Sequence, residues 1–316
     1  MPEPSEPAEP SEPSPPSRPS APPPGPPPPS ARSRPPGPPP DAGGAAGAGR
    51  YGRDLFPPGR TGEAARIDHG AEAYDAVTRA RLLALGAGPG LRCLDVGAGT
   101  GTVAAWLAEE AGAEVLALDR DVRFLPAPPG GRLRTLAADL TDPGLDPGRF
   151  DLVHARFVLM HLPRRDEVLA RLAGWLAPGG WLVVGDAVDL TTAGSPNAAY
   201  RRAMGAMWEA LRETIGTDIT RVTRYPQQLS ALGLADVGAE IHVPPLTADA
   251  PITAFWRETW TRMREALTAP GRLDPDELDG ALAHLSSPGL ADLSPGLLTA
   301  WGRAPPAGTG GPSPGR

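Results

Sequence analysis

Leu91-Arg92-Cys93-Leu94-Asp95-Val96-Gly97-Ala98-Gly99-Thr100-Gly101 is the stretch that decides the fold. Leu91 to Val96 is short, apolar and β-prone, and it ends abruptly in glycines at alternate positions. Thr102 to Glu110 then reads as an amphipathic helix, so the order is strand, glycine turn, helix. Glycine suits a turn whose backbone takes unusual φ/ψ or approaches a ligand with no Cβ between. Free N–H groups at the helix start point at whatever occupies the turn. The unit predicts a cofactor cradle at the carboxyl end of a first parallel strand.

Working outward, Ala113 to Asp119 reads as a second buried strand, and Asp119 lies 18 residues beyond Gly101. An acidic side chain there can accept hydrogen bonds from both ribose hydroxyls of a nucleoside; Asp121 is the neighbouring alternative. Arg132 to Leu140 is a third strand ending in Asp139, suited to an adenine amino group with Leu140 donating its backbone N–H, or to capping the turn. Arg149 to Arg156 is a fourth strand, followed by a helix from Arg165 to Leu176 and a Pro178-Gly179-Gly180 turn. Trp181 to Asp186 is a fifth strand. Upstream, Ile67, Ala71, Tyr74 and Val77 recur at helical spacing from Thr61 or Gly62, and Gly86 stops that helix.

Two cofactors compete for the turn. Gly99-x-Gly101-x-x-Ala104 fits a dinucleotide fingerprint, whereas Asp95-x-Gly97-x-Gly99-x-Gly101 resembles motif I of the class I S-adenosylmethionine-dependent methyltransferases. The series "LDVGAGTG", "ALDRD", "AADL", "FDLVHARFVLMHL" and "LAPGGWLVVGD", in this order and with normal βα spacings, is similar to that family over about residues 90–190. It looks closest to bacterial methyltransferase-domain enzymes acting on small molecules. NAD dehydrogenases have no reason to carry Phe150 to Leu162 followed by Pro-Gly-Gly. The resemblance implies an α/β, Rossmann-like doubly wound sheet of seven strands with the last antiparallel. It also implies S-adenosylmethionine across the carboxyl edge. Gly97, Ala98, Gly99 and Gly101 would let the backbone approach the cofactor, and Asp95 would hold its amino group and brace the loop. Asp119 with Arg120 would meet the ribose, Asp139 with Leu140 the adenine, and Ala155 and Arg156 the methionine and methyl group. Arg156 read by its residue type alone is equally an ion-pair residue.

The rest of the chain bounds the answer. Half of the first 40 residues are proline, so 1–50 reads as a disordered tail and 304–316 as a second one. The span 51–303 is enough for one α/β domain. Net charge is −7, nearly all within that span, which argues against a nucleic-acid partner. No lysine occurs, which excludes Walker, Schiff-base and kinase β3 lysines. Cys93, the one cysteine, reads as a core residue and allows no disulfide within the chain. No run of 18 apolar residues suggests a membrane span, and a cytoplasmic location is the expectation.

Helical insertions are expected at about 190–224 and 250–290, as caps over the sheet. The first carries Tyr200, Met204, Met207, Trp208 and Leu211, and the second Phe255, Trp256, Trp260 and Met263 in a helix from Pro251 to Leu267. These aromatics point to an apolar or aromatic small-molecule acceptor. Tyr225 to Leu232, Ala235 to Val243, Pro275 to Leu285 and Leu297 to Gly302 complete the pattern as helix, strand, helix and last strand. In-line methyl displacement needs a nucleophile aligned opposite the departing sulfur. His161 is the candidate base for it, or a brace for the helix. His154 reads as structural. Without an acidic ligand at the end of strand four, no metal is expected. The alternatives are an inactive methyltransferase-like binding module, or an NAD(P)-dependent oxidoreductase. A pocket beside Arg156 plugged by Trp208, Trp256 or Trp260 would favour the inactive module.

Overall fold

The computed structural model describes residues 51–53, 55–126 and 131–307. The expected tail at 1–50 lies outside them, as does the expected tail at 304–316 beyond residue 307. The strands are β1 (Arg92–Val96), β2 (Glu114–Asp119), β3 (Leu133–Ala137), β4 (Phe150–Arg156), β5 (Leu176–Val188), β6 (Ala235–His242), β7 (Pro245–Leu246), β8 (Asp292–Leu293) and β9 (Gly296–Arg303). The helices are α1 (Glu63–Ala84), α2 (Thr102–Glu109), α3 (Arg165–Gly174), α4 (Ala198–Ile215), α5 (Tyr225–Ala231), α6 (Pro251–Arg262), α7 (Arg264–Leu267) and α8 (Pro275–Leu285).

Seven strands form one sheet in the order β3-β2-β1-β4-β5-β9-β6. β1 to β5 run parallel, and β9 runs antiparallel to both β5 and β6. The strand order reverses at β1, which is where an open α/β sheet leaves a crevice at its carboxyl edge. Both faces are covered. Leu94, Val96, Val153, Ala155 and Leu182 pack under α3 and α5, while Cys93, Leu152 and Val183 pack under α1 and α2. This period-2 alternation decides which strand residues can face a site beneath α1.

A further apolar cluster joins Tyr74 of α1 to Met204 and Met207 of α4, Trp256 and Trp260 of α6, and Leu278 and Leu285 of α8. Its helices are set by local signals. Asn197 caps α4 by accepting from the Tyr200 N–H at 2.8 Å. Asp274 and Glu277 make a reciprocal capping box on α8, with Pro275 in the first turn.

The structure departs from the sequence reading in several places. The helix expected over 251–267 breaks at Met263 (φ −90°, ψ 5°) into α6 and α7. α3 stops at Gly174, because Leu176 to Gly180 is extended and forms the first part of β5, with a register shift against β4 between Phe150 and Leu152. β7 and β8 form an unforeseen short ladder. Ala304 and Pro305, expected within a loose tail, are instead tied to the start of β5: the Ala304 N–H donates to the Gly180 carbonyl at 2.8 Å, and the Pro305 carbonyl accepts from Gly179 at 3.1 Å. Among the described residues no helix is long and apolar enough to cross a membrane.

Candidate functional site

A cavity of about 620 Å³ opens over the carboxyl ends of β1, β2 and β4. Asp95 ends β1 and stands beside His154 of β4 in the parallel register. Its Oδ1 lies 2.7 Å from His154 Nδ1, with both residues buried and both bordering the cavity. Alternation puts His154 and Arg156 on the α1 face of β4. Arg156 there donates to Asp75 Oδ1 at 2.7 Å and to Thr78 Oγ1 at 2.8 Å, both on α1.

The glycine turn is built on left-handed backbone: φ is +65° at Gly97, +59° at Gly99 and +82° at Gly101. A Cβ on Gly97 would overlap Val158 Cγ2, so the backbone of the turn packs directly against the Val158 side chain after β4. The N–H groups of Gly97 and Ala98 donate to the Leu118 carbonyl at 2.7 and 3.2 Å, fastening the turn to β2. Asp119 then meets the turn from the side: Oδ2 accepts from the Gly99 N–H at 2.9 Å and Oδ1 from the Asp121 N–H at 3.0 Å. Burial raises its carboxyl above the ordinary value, against the lowering effect of those two N–H donors. Arg120 donates to the Tyr51 carbonyl. Asp139 Oδ1 accepts from the Thr141 N–H and hydroxyl at 2.8 and 2.6 Å. Asp139, Leu140 and Arg120 all border the cavity.

The opposite wall is aromatic, with Phe56, Tyr74, Phe157, Trp208, Phe255 and Trp256 bordering the same space. Trp208 and Trp256 meet edge to face with centroids 6.0 Å apart, and Tyr74 meets Phe157 at 5.2 Å. Indole and phenol groups are held in place: Trp208 Nε1 donates to Asp189, Trp256 Nε1 to Ser294, and the Tyr74 hydroxyl to the Pro295 carbonyl. Phe157 carries a left-handed φ of +58°, a strained state for a bulky side chain. Its N–H donates to the Gly185 carbonyl at 2.7 Å. Trp260, by contrast, is fully buried in the helical cluster.

His161 borders the cavity, with Nδ1 2.8 Å from Thr217 Oγ1 and its ring 4.7 Å from that of Tyr51. Burial, with the nearby Arg165 and Arg66 cations, pushes its imidazole down to about 3. It is therefore neutral near pH 7. Asp186 of β5 sits behind this segment, accepting from the Met160 N–H at 3.1 Å and from the Tyr225 hydroxyl. Burial pushes its carboxyl up to about 7.

The sequence profile of the "Methyltransferase domain" family matches residues 94–184, the span from β1 into β5. Methyltransferase GfsG of Streptomyces halstedii is 31% identical over 202 residues, covering 57% of this chain and 72% of that protein. The chain belongs to the class I S-adenosylmethionine-dependent methyltransferase family. Methyltransferase str2 of Strobilurus tenacellus is 33% identical over 188 residues, covering 56% of this chain and 65% of that protein. The chain spans 29% to 72% of the length of the curated relatives compared. A cyclopropane-fatty-acyl-phospholipid synthase-like protein from Lactobacillus casei shares the fold at a TM-score of 0.50 and 20% identity, over 77% of this chain and 94% of that one.

Most residues expected to serve this methyltransferase site do surround one cavity: Asp95, Gly97, Ala98, Gly99, Asp119, Arg120, Asp139, Leu140, Arg156 and His161. Two lie elsewhere. Ala155 is on the far face of β4, in the cluster with Leu94 and Leu182, because strand period puts it opposite His154 and Arg156. Gly101 is spent on packing: a Cβ there would stand 2.8 Å from Pro126 and 2.9 Å from Leu125. Sequence reasoning missed Tyr51, Phe56, Phe157 and the buried Glu63 and Arg66, all of which border the cavity. No local motif marks them. A buried ion pair at the start of a helix becomes legible only once α6 covers it.

Proposed function

We propose that this chain transfers a methyl group from S-adenosylmethionine to a small-molecule acceptor, with 51–303 as the catalytic unit and the segments 190–224 and 250–290 as helical caps. The observation that carries this reading is one continuous cavity, bordered on one side by the glycine turn and Asp119 and on the other by the aromatic wall of α1, α4 and α6. The residues present fit the cofactor. The turn takes backbone conformations that side chains rarely adopt, and Asp95, Asp119, Asp121 and Asp139 border the cavity near it. That charge suits an amino group and a sulfonium and opposes a pyrophosphate.

When bound, the cofactor supplies an electrophilic methyl group. Asp119 holds the ribose hydroxyls: its oxygens each accept one backbone N–H, and a carboxylate has lone pairs for more. Arg120 flanks the same end. Asp95, set by His154, holds the amino group. Asp139 and Leu140 border the adenine. Arg156, tied to α1, shapes the boundary between cofactor and acceptor.

The aromatic wall takes an apolar or aromatic acceptor and excludes water, so positioning supplies most of the acceleration. His161, neutral and bonded to Thr217, is a weak base and serves mainly to brace that wall. Trp208 and Trp256 border the space beside Arg156 without filling it, which supports an active enzyme over an inactive module. Calorimetric titration of the full chain with S-adenosylhomocysteine, beside NADH, tests the reading. Micromolar binding of the first and none of the second is expected; the reverse overturns it.

A further inference from the structure

Two guanidinium groups, Arg66 and Arg156, border the aromatic part of the cavity, and each is already paired with a carboxylate of the protein. Arg66 is 2% exposed and Glu63 1%. Arg66 Nε donates to Glu63 Oε2 at 3.2 Å and Nη2 donates to Glu63 Oε1. The Tyr51 hydroxyl accepts from Nη2 at 2.8 Å, and Thr259 Oγ1 accepts from Nη1 at 3.2 Å. The guanidinium carbon lies 4.2 Å from the Phe56 ring centroid and 5.2 Å from that of Phe255. Arg262 approaches Glu63 Oε2 at 3.6 Å and donates to the Thr61 carbonyl, but it does not border the cavity. Arg156 is matched by Asp75, whose other oxygen meets Arg79 at 3.3 Å. His161 faces the same space without charge.

A buried ion pair strongly penalises loss of one partner, because the other charge is left uncompensated in a poor solvent. An anionic acceptor binding here would have to draw Arg66 from Glu63. A cationic one would have to draw Glu63 from Arg66. Of the five N–H groups of a guanidinium, Arg66 uses four within the protein. The remaining Nη1 hydrogen suits a neutral oxygen. Resting on the methyl-transfer reading above, we infer that the acceptor is uncharged where it meets this wall. It is a ring-bearing apolar molecule with a hydroxyl or carbonyl oxygen, and phosphorylated or carboxylated acceptors are rejected by the Glu63–Arg66 pair.

The test uses two probes of one shape, 2-naphthol and 2-naphthyl phosphate, titrated calorimetrically near neutral pH into the full chain saturated with S-adenosylhomocysteine. The phosphate is expected to bind at least about tenfold more weakly. Glu63→Gln keeps hydrogen-bonding atoms beside Arg66 but removes the neutralising charge, so the preference should move toward the phosphate by about tenfold or more. The inference is overturned if 2-naphthol fails to bind, if the phosphate binds equally well or better, or if a folded Glu63→Gln variant keeps the wild-type preference. Should that variant not fold, the wild-type comparison decides alone. If S-adenosylhomocysteine itself does not bind, the methyl-transfer reading fails, while the two probes on the unliganded chain still decide the charge preference.

Discussion

Asp119→Ala removes the carboxylate that meets the glycine turn, and its effect can be worked from the geometry. Each oxygen accepts one backbone N–H, from Gly99 at 2.9 Å and Asp121 at 3.0 Å. Capacity remains for the two ribose hydroxyls. A hydrogen bond to a charged group is worth about 1.5–3 kcal/mol. Asp119 is only partly buried, which favours the lower end. Two such bonds at about 1.5 kcal/mol give about 3 kcal/mol, or roughly a hundredfold in Kd for S-adenosylhomocysteine. The same substitution strips Gly99 and Asp121 of their acceptor, so part of any loss could reflect a slackened turn. Two measurements separate these effects by calorimetry. The wild type should bind the 2′-deoxy form of S-adenosylhomocysteine about tenfold more weakly than the parent, whereas Asp119→Ala should barely distinguish them. Thermal unfolding of both proteins reports the structural cost. A folded variant that binds within about threefold of wild type, or that still discriminates the 2′-hydroxyl as wild type does, refutes the ribose role.

Three further outcomes follow from the same site. His161 has a folded value of about 3 against an ordinary 6.5, so its contribution to stability is present above pH 6.5 and lost as pH falls toward 3. His161→Gln should flatten the acid side of the urea-midpoint profile in that window. Asp186 has the opposite sign: its value is raised from 3.8 to about 7, so its contribution is full below pH 3.8 and lost as pH rises through 7. Asp186→Asn, which still accepts from Tyr225, should remove that decline, and a decline that persists would place the titrating group elsewhere. Gly97→Ala adds a Cβ at φ +65° that overlaps Val158. Left-handed strain and overpacking together cost about 3 kcal/mol, roughly 10 °C in Tm. Val158→Ala in the same chain should recover part of it by calorimetric scan, and no recovery would show that the backbone angle alone sets the cost.

The sheet and the glycine-turn side of the cavity were legible in the sequence because both rest on local patterns. A strand ending in glycines and an acidic residue at the end of the next strand are short-range signals, and both appear where expected, while the expected Pro-Gly-Gly turn is extended and forms the start of β5. The place of Ala155 follows from the same local rule: strand alternation puts its side chain on the face opposite Arg156. The aromatic wall was not legible in this way. Phe56, Glu63, Arg66, Tyr74, Phe157, Trp208 and Phe255 are scattered over some 200 residues, joined by no spacing rule, and brought together when α4 and α6 close over α1. The sequence offered Trp208, Trp256 and Trp260 alike as residues that could reach the pocket, and only packing separates Trp260, sealed in the core, from the two that border the cavity. The pairing of Arg66 with Glu63 is local, three residues apart on α1. Its burial under Phe56, Phe255 and Thr259 is not. That burial makes separating the pair costly, because the electrostatic cost of parting two ions depends on the solvent that surrounding side chains exclude.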